Sequence, residues 1–164
     1  MEIFRGRRLW AEKKEILLPS GSTRDKIIIH PGHAVAVLPL EGEHVKLLRQ
    51  YRYAIGQYII EAPAGTLEQD EDAETCARRE LIEETGFAAK TIISRGFIWT
   101  TPGFTDEKIY LFEAHDLIPS SEFGKDDDEI IDVIDVPLHD LDAMILDGTI
   151  SDAKTIALIH RCLR

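Results

Sequence analysis

Apolar positions along the chain fall into short runs at strand spacing, interrupted three times by segments of helical period. Residues 33–40, HAVAVLPL, are almost continuously apolar, the pattern of a strand covered on both faces. Glu41-Gly42-Glu43 then turns the chain back into a partner strand over residues 44–53. Ahead of Pro31-Gly32, residues 2–10, 15–18 and 26–30 read as short strands with a turn at Pro19-Ser20-Gly21-Ser22, an antiparallel lead-in. Residues 57–62, 89–99, 108–114 and 130–136 are further strands, the last closed by Pro137. Residues 138–146 predict a helix stopped by Asp147-Gly148, and residues 152–163 an amphipathic one with Ile156, Ile159 and Leu163 on its apolar face. Strands before, between and after helices predict an α/β fold, with a mixed sheet and helices on its faces.

The remaining helix organises the rest. In GTLEQDEDAETCARRELIEETGF, residues 65–87, Asp70 or Asp72 can cap a helix start and Gly86 can end it in left-handed geometry. At about 100° per residue, Ala73, Ala77, Glu80 and Glu84 share a sector of about 60°, with Leu81 on one flank and Glu83 on the other. Carboxylates thus fall on the small-residue face that must pack on a sheet, where they repel one another and lose hydration unless a cation neutralises them. A hard divalent ion such as Mg²⁺ takes carboxylate and water oxygens, and Glu80 and Glu84, at i and i+4, can reach one ion. Gly65, after Pro63-Ala64, suits a tight connection where backbone approaches a ligand, so a backbone carbonyl there can join the metal shell.

Composition narrows the choice. The 164 residues suffice for one domain, and a net charge of −11 argues against a general polyanion binder while leaving room for a small phosphorylated substrate held through metal. Cys76 and Cys162 lack the spacing of a disulfide scaffold or a zinc site and are expected as small buried hydrophobes. With no signal-peptide pattern and no apolar run of membrane-spanning length, a soluble cytoplasmic protein is expected, with neither nucleic acid nor membrane as partner.

The segment resembles the Nudix box at every defined position: Gly65, Glu71, Arg79-Glu80-Leu81, Glu83-Glu84 and Gly86-Phe87. The resemblance implies an α/β/α sandwich and metal-dependent hydrolysis of nucleoside diphosphates linked to another group. It makes residues 1–164 a single Nudix domain, with a core at 33–164 and N-terminal strands at 1–30 that exchange between subunits of a homodimer. Pro102, sixteen positions after Gly86 in TTPGFTDEKIYLF, is similar to the proline that marks ADP-ribose pyrophosphatases, as are RQYRYAIGQYIIEAPAGTLE upstream and GTISDAKTIALI downstream.

That resemblance implies hydrolysis of ADP-ribose to AMP and ribose 5-phosphate. Another nucleotide sugar, NADH or a dinucleoside polyphosphate is the alternative substrate, and a non-hydrolytic ADP-ribose sensor the alternative class. Mg²⁺, or Mn²⁺ in its place, is expected on Glu80, Glu83, Glu84 and the Ala64 carbonyl. Arg52 is expected on the substrate's phosphates or terminal ribose, with Glu61, Glu68, Pro102, Gly103 and Phe104 also at the substrate. Arg49 can equally sit at a subunit contact. Tyr51, Tyr53, Tyr58, Trp10 and Trp99 are candidates for stacking on adenine. The base that takes the water's proton is expected on the loop before the last strand, with Glu129 favoured and Asp127 its competitor. His30 and His33 are assigned no chemistry.

Overall fold

The computed structural model describes residues 1–123 and 130–163. The chain opens with a three-stranded antiparallel sheet of β1 (Glu2–Arg5), β2 (Trp10–Leu17) and β3 (Thr23–His30), in that order. The single strand expected over residues 2–10 is in fact broken. The Gly6 N–H donates to the Leu9 carbonyl at 2.8 Å, so Gly6-Arg7-Arg8-Leu9 is a turn and Trp10 starts β2. Two adjacent arginines carry no apolar alternation that would have continued the strand.

The larger sheet has seven strands: β4 (Ala34–Glu41), β5 (His44–Arg52), β6 (Gln57–Glu61), β7 (Ala64–Thr66), β8 (Phe87–Trp99), β9 (Lys108–Pro119) and β10 (Ile131–Pro137). Its order is β10-β5-β4-β9-β8, with β6 also paired to β5 and β7 to β4. β4 and β9 run parallel and the other pairs antiparallel, so the sheet is mixed.

Helices α1 (Ala73–Thr85), α2 (Leu141–Leu146) and α3 (Ala153–Leu163) cover both faces, and β4 shows why. Its side chains alternate: Val35 and Val37 pack with Cys76, Ala77 and Leu81 of α1, while Ala36, Leu38 and Leu40 pack with Leu141, Leu158 and Ile159 beneath α2 and α3. A strand apolar on both faces is thus the middle layer of an α/β/α sandwich.

Two joints place the site. β7, three residues long and unexpected, pairs Ala64 with Ala36 and Gly65 with Val35, which pins the start of the glutamate segment to the central strand. The N-terminal sheet is tied to the turn after β8, where the Ile29 N–H donates to the Phe104 carbonyl at 2.8 Å and His30 Nδ1 meets Asp106 Oδ2 at 2.6 Å.

Candidate active site

Asp72, rather than Asp70, caps α1: its Oδ1 accepts from the Glu74 and Thr75 N–H groups, each at 3.0 Å. Gly86 closes the helix at φ +75°, its N–H donating to the Ile82 carbonyl. The resulting rotation buries Cys76, Ala77, Leu81 and Glu84 against the sheet. Glu84, 2% exposed, accepts the Ala64 N–H at 2.7 Å, so the helix is stitched to β7 by a carboxylate. Burial pushes the Cys76 thiol well up from its ordinary value, which keeps it protonated and unreactive.

Arg79 is the hub of the other carboxylates. Its Nε and Nη2 donate to the two Glu71 oxygens at 3.0 Å each, and its Nη1 to Glu80 and Glu83 at 2.8 Å each. The Glu71 carboxyl is held below the usual carboxylate range, chiefly by these bonds from Arg79. Glu80 lies so close to β7 that a Cβ built on Gly65 would overlap its carboxylate. Glycine is therefore required at position 65 by contact rather than by dihedral angle.

A cavity of about 790 Å³ opens above this cluster. Glu68, Glu80, Glu83 and Glu107 line it together with Arg7, Arg8, Arg52, Arg79 and Lys154, over a floor that includes Ala64, Gly65 and Val35. Arg52 reaches it while holding the buried Glu61 in a two-pronged pair, Nε to Oε1 at 2.7 Å and Nη2 to Oε2 at 2.8 Å. Glu61 therefore meets the cavity through its cations.

The structure thus brings together Ala64, Glu68, Glu80, Glu83 and Arg52, with Glu84 and Glu61 just behind them. Pro102, Gly103 and Phe104 are elsewhere: they form an exposed turn outside the cavity lining, with the Phe104 carbonyl spent on β3. The aromatic candidates also lie outside it. Trp10 stacks on His30 at 3.9 Å, Tyr51 meets Tyr58 edge-on at 5.2 Å and Trp99 meets Phe97 at 5.7 Å. Arg49 sits over the Tyr58 ring at 3.8 Å. Glu129 and Asp127 lie outside the described residues. Arg7, Arg8, Glu107 and Lys154 also line the cavity, and no motif in the sequence marks them.

Among the described residues, no three His, Cys, Asp or Glu side chains are arranged to hold a metal ion, and Arg79 Nη1 donates to both Glu80 and Glu83. The donors themselves fit a hard divalent ion: carboxylate oxygens beside a backbone kept bare by Gly65.

Comparison with known proteins gives the family. A family model described as the NUDIX domain matches residues 30–159. The chain belongs to the Nudix family. It is 37% identical over 162 residues to the ADP-ribose pyrophosphatase of Bacillus subtilis (strain 168), covering 97% of this chain and 87% of that protein. Identity and coverage are the same for the methanol dehydrogenase activator of Bacillus methanolicus. The GDP-mannose pyrophosphatase of Cronobacter sakazakii (strain ATCC BAA-894) is 37% identical over 137 residues, 79% of this chain and 71% of its own. A solved structure described as an ADP compounds hydrolase shares the fold, with a TM-score of 0.88 at 23% identity over 98% of this chain and 88% of that one. The chain is a Nudix pyrophosphohydrolase, and no described helix is long and apolar enough to cross a membrane.

Proposed function

We propose that this Nudix hydrolase splits the pyrophosphate bond of ADP-ribose, giving AMP and ribose 5-phosphate, with Mg²⁺ or Mn²⁺ as its cation. The observation that carries the reading is the cavity itself. It sets Glu80 and Glu83 beside Gly65 on one part of its wall and the cations Arg52 and Lys154 on another, in a chain 37% identical to an ADP-ribose pyrophosphatase over nearly its whole length.

Glu80, Glu83, Glu84 and the Ala64 carbonyl would hold the ion, which when bound neutralises pyrophosphate charge and lowers the pKa of a coordinated water. The chain's own groups do the rest. Arg52 fixes a phosphate or ribose oxygen with the guanidinium N–H groups that Glu61 leaves over. Glu68 holds a substrate hydroxyl, and Glu129 or Asp127 accepts the water's proton. The water oxygen bonds to one phosphorus, the bond from that phosphorus to the bridging oxygen breaks, and the second phosphate leaves with that oxygen.

A nucleotide sugar is the second reading, favoured by the likeness to a GDP-mannose pyrophosphatase. The domain is read as a homodimer whose N-terminal sheet meets a second subunit, a reading supported by the exposed Ile3, Phe4, Leu17 and Ile27 on that sheet. Light scattering on the purified chain tests the dimer.

AMP release from ADP-ribose, measured beside GDP-mannose, NADH and a dinucleoside polyphosphate, tests the substrate. The expected result is a preference for ADP-ribose that EDTA abolishes and Glu84→Gln cuts by about a hundredfold or more. Faster turnover of GDP-mannose would replace the substrate and keep the chemistry.

A further inference from the structure

Glu61 is 1% exposed, yet two cations share it. Arg52 contacts both of its oxygens, and the Lys154 ammonium also donates to Oε2. A carboxylate at this depth needs a counter-charge, and one two-pronged guanidinium already provides it. The second cation is shared between Glu61 and Asp152, and both cations line the cavity.

Lys154 is also held in place. Asp152 Oδ2 accepts from it at 3.0 Å, and the same oxygen caps α3 by accepting from the Thr155 N–H at 2.9 Å and the Thr155 hydroxyl at 2.6 Å. Thr155 Oγ1 in turn accepts the Ala62 N–H at 2.8 Å. The first turn of α3 is thereby locked to the segment that runs from Glu61 to Gly65.

The sharing bears on Arg52. A guanidinium that faced Glu61 alone would have its charge offset by a full carboxylate in a poorly screened place, and would attract a third party weakly. With Lys154 on the same carboxylate, that offset is divided. The Nη1 group of Arg52 makes no hydrogen bond among the described residues, so it has donors to give.

We propose that Lys154 is a positioning residue, which by sharing Glu61 keeps the Arg52 guanidinium turned toward the cavity, and in register with β7, so that Arg52 takes an anionic oxygen of the nucleotide. This rests on the reading of the cavity as the nucleotide site.

The test is calorimetric binding of ADP-ribose and of GDP-mannose in EDTA, so that nothing turns over, to wild type, Lys154→Met, Lys154→Arg and Lys154→Met combined with Glu61→Gln. Whichever nucleotide the wild type binds more tightly is expected to bind Lys154→Met about tenfold more weakly, and Lys154→Arg within about threefold of wild type. Adding Glu61→Gln to Lys154→Met is expected to recover at least about threefold, because Arg52 no longer faces a full charge. With the cation present, KM follows the same order while kcat stays within about threefold.

Circular dichroism identifies any variant that has not folded. The double variant removes the buried charge together with its partner, so it remains informative if Lys154→Met is lost. Wild-type affinity in Lys154→Met, or a double variant that binds no better than the single one, overturns the proposal. A wild type that turns over only GDP-mannose ends the ADP-ribose reading and leaves the Lys154 comparison to be made on GDP-mannose. Binding of neither nucleotide overturns both.

Discussion

Three glutamates at α1 and one on β9 are neutralised in different proportions. Along α1, Glu71, Glu80 and Glu83 all turn to the one guanidinium of Arg79. Across the β8–β9 pair, Glu113 has Arg95 at 2.7 Å and also meets His115. Glu113 sits on a ladder strand opposite Ile93, and its partners meet the demand of one buried charge. At α1, by contrast, three carboxylates share one guanidinium. An excess of that kind is costly in a structural element and useful where an ion is meant to arrive. Proportion, more than burial, is what distinguishes the two sets.

Substitution of a carboxylate in each cluster is the strongest way to break that contrast. Glu80→Gln is expected to lower kcat by about a hundredfold to a thousandfold. Glu113→Gln should leave kcat within about threefold while costing about 1–3 kcal/mol of stability, since Arg95 loses its charged partner and one of the two accepting oxygens becomes an NH2 donor. Equal losses of kcat in the two variants would remove the distinction.

The arginines give the next effect. Arg79→Met is expected to destabilise the metal-free protein by about 2–4 kcal/mol, with part of that regained on adding Mg²⁺, because an ion can neutralise the same oxygens. Arg95→Met should lower the melting temperature with no response to Mg²⁺. Thermal melts with and without the ion compare the two directly.

Gly65→Ala pushes a methyl group into the Glu80 carboxylate and is expected to cost about 1–3 kcal/mol and most of the activity. A Cβ at Gly103 meets nothing within 4 Å, so Gly103→Ala should leave folding unchanged. If it also leaves KM unchanged, the exposed turn has no share in binding.

Acid gives the smallest effect. Burial pulls the Glu113 carboxyl up, but hydrogen bonds from His115 and Arg95 outweigh it and set the pKa below the ordinary 4.5. A depressed carboxylate contributes its full stabilisation above that ordinary value and loses it as pH falls through the lower value of the folded state. The fall in melting temperature below pH 4.5 should therefore be shallower in Glu113→Gln than in wild type.

Much of this was legible in the residues. The nearly continuous apolar run of β4 announced a strand covered on both faces, and a cap at Asp70 or Asp72 with a stop at Gly86 bounded the glutamate helix. β7 was not legible, because three residues carry no period and Ala64-Gly65-Thr66 pairs only once β4 is in place. Nor was the end of β9, which runs on to Pro119 because β8 starts at Phe87 and supplies partners there. Around the site, the helical carboxylates could be placed by rotation alone. Lys154 and the Arg7-Arg8 turn reach the cavity only through the packing of distant elements, and the same packing carries Pro102 away from it.

The bond from Ala62 to Thr155 has a further consequence, in time rather than space. It joins residues 93 positions apart, and the parallel pairing of β4 with β9 is also remote along the chain. Remote closures are slow, because the loop entropy is spent before any contact repays it. During synthesis the glutamate helix emerges well ahead of β9 and α3, so for that interval β4 lacks its parallel neighbour and Glu61 lacks Lys154. The chain should acquire secondary structure early and catalytic competence late, with nucleotide binding appearing only when α3 docks.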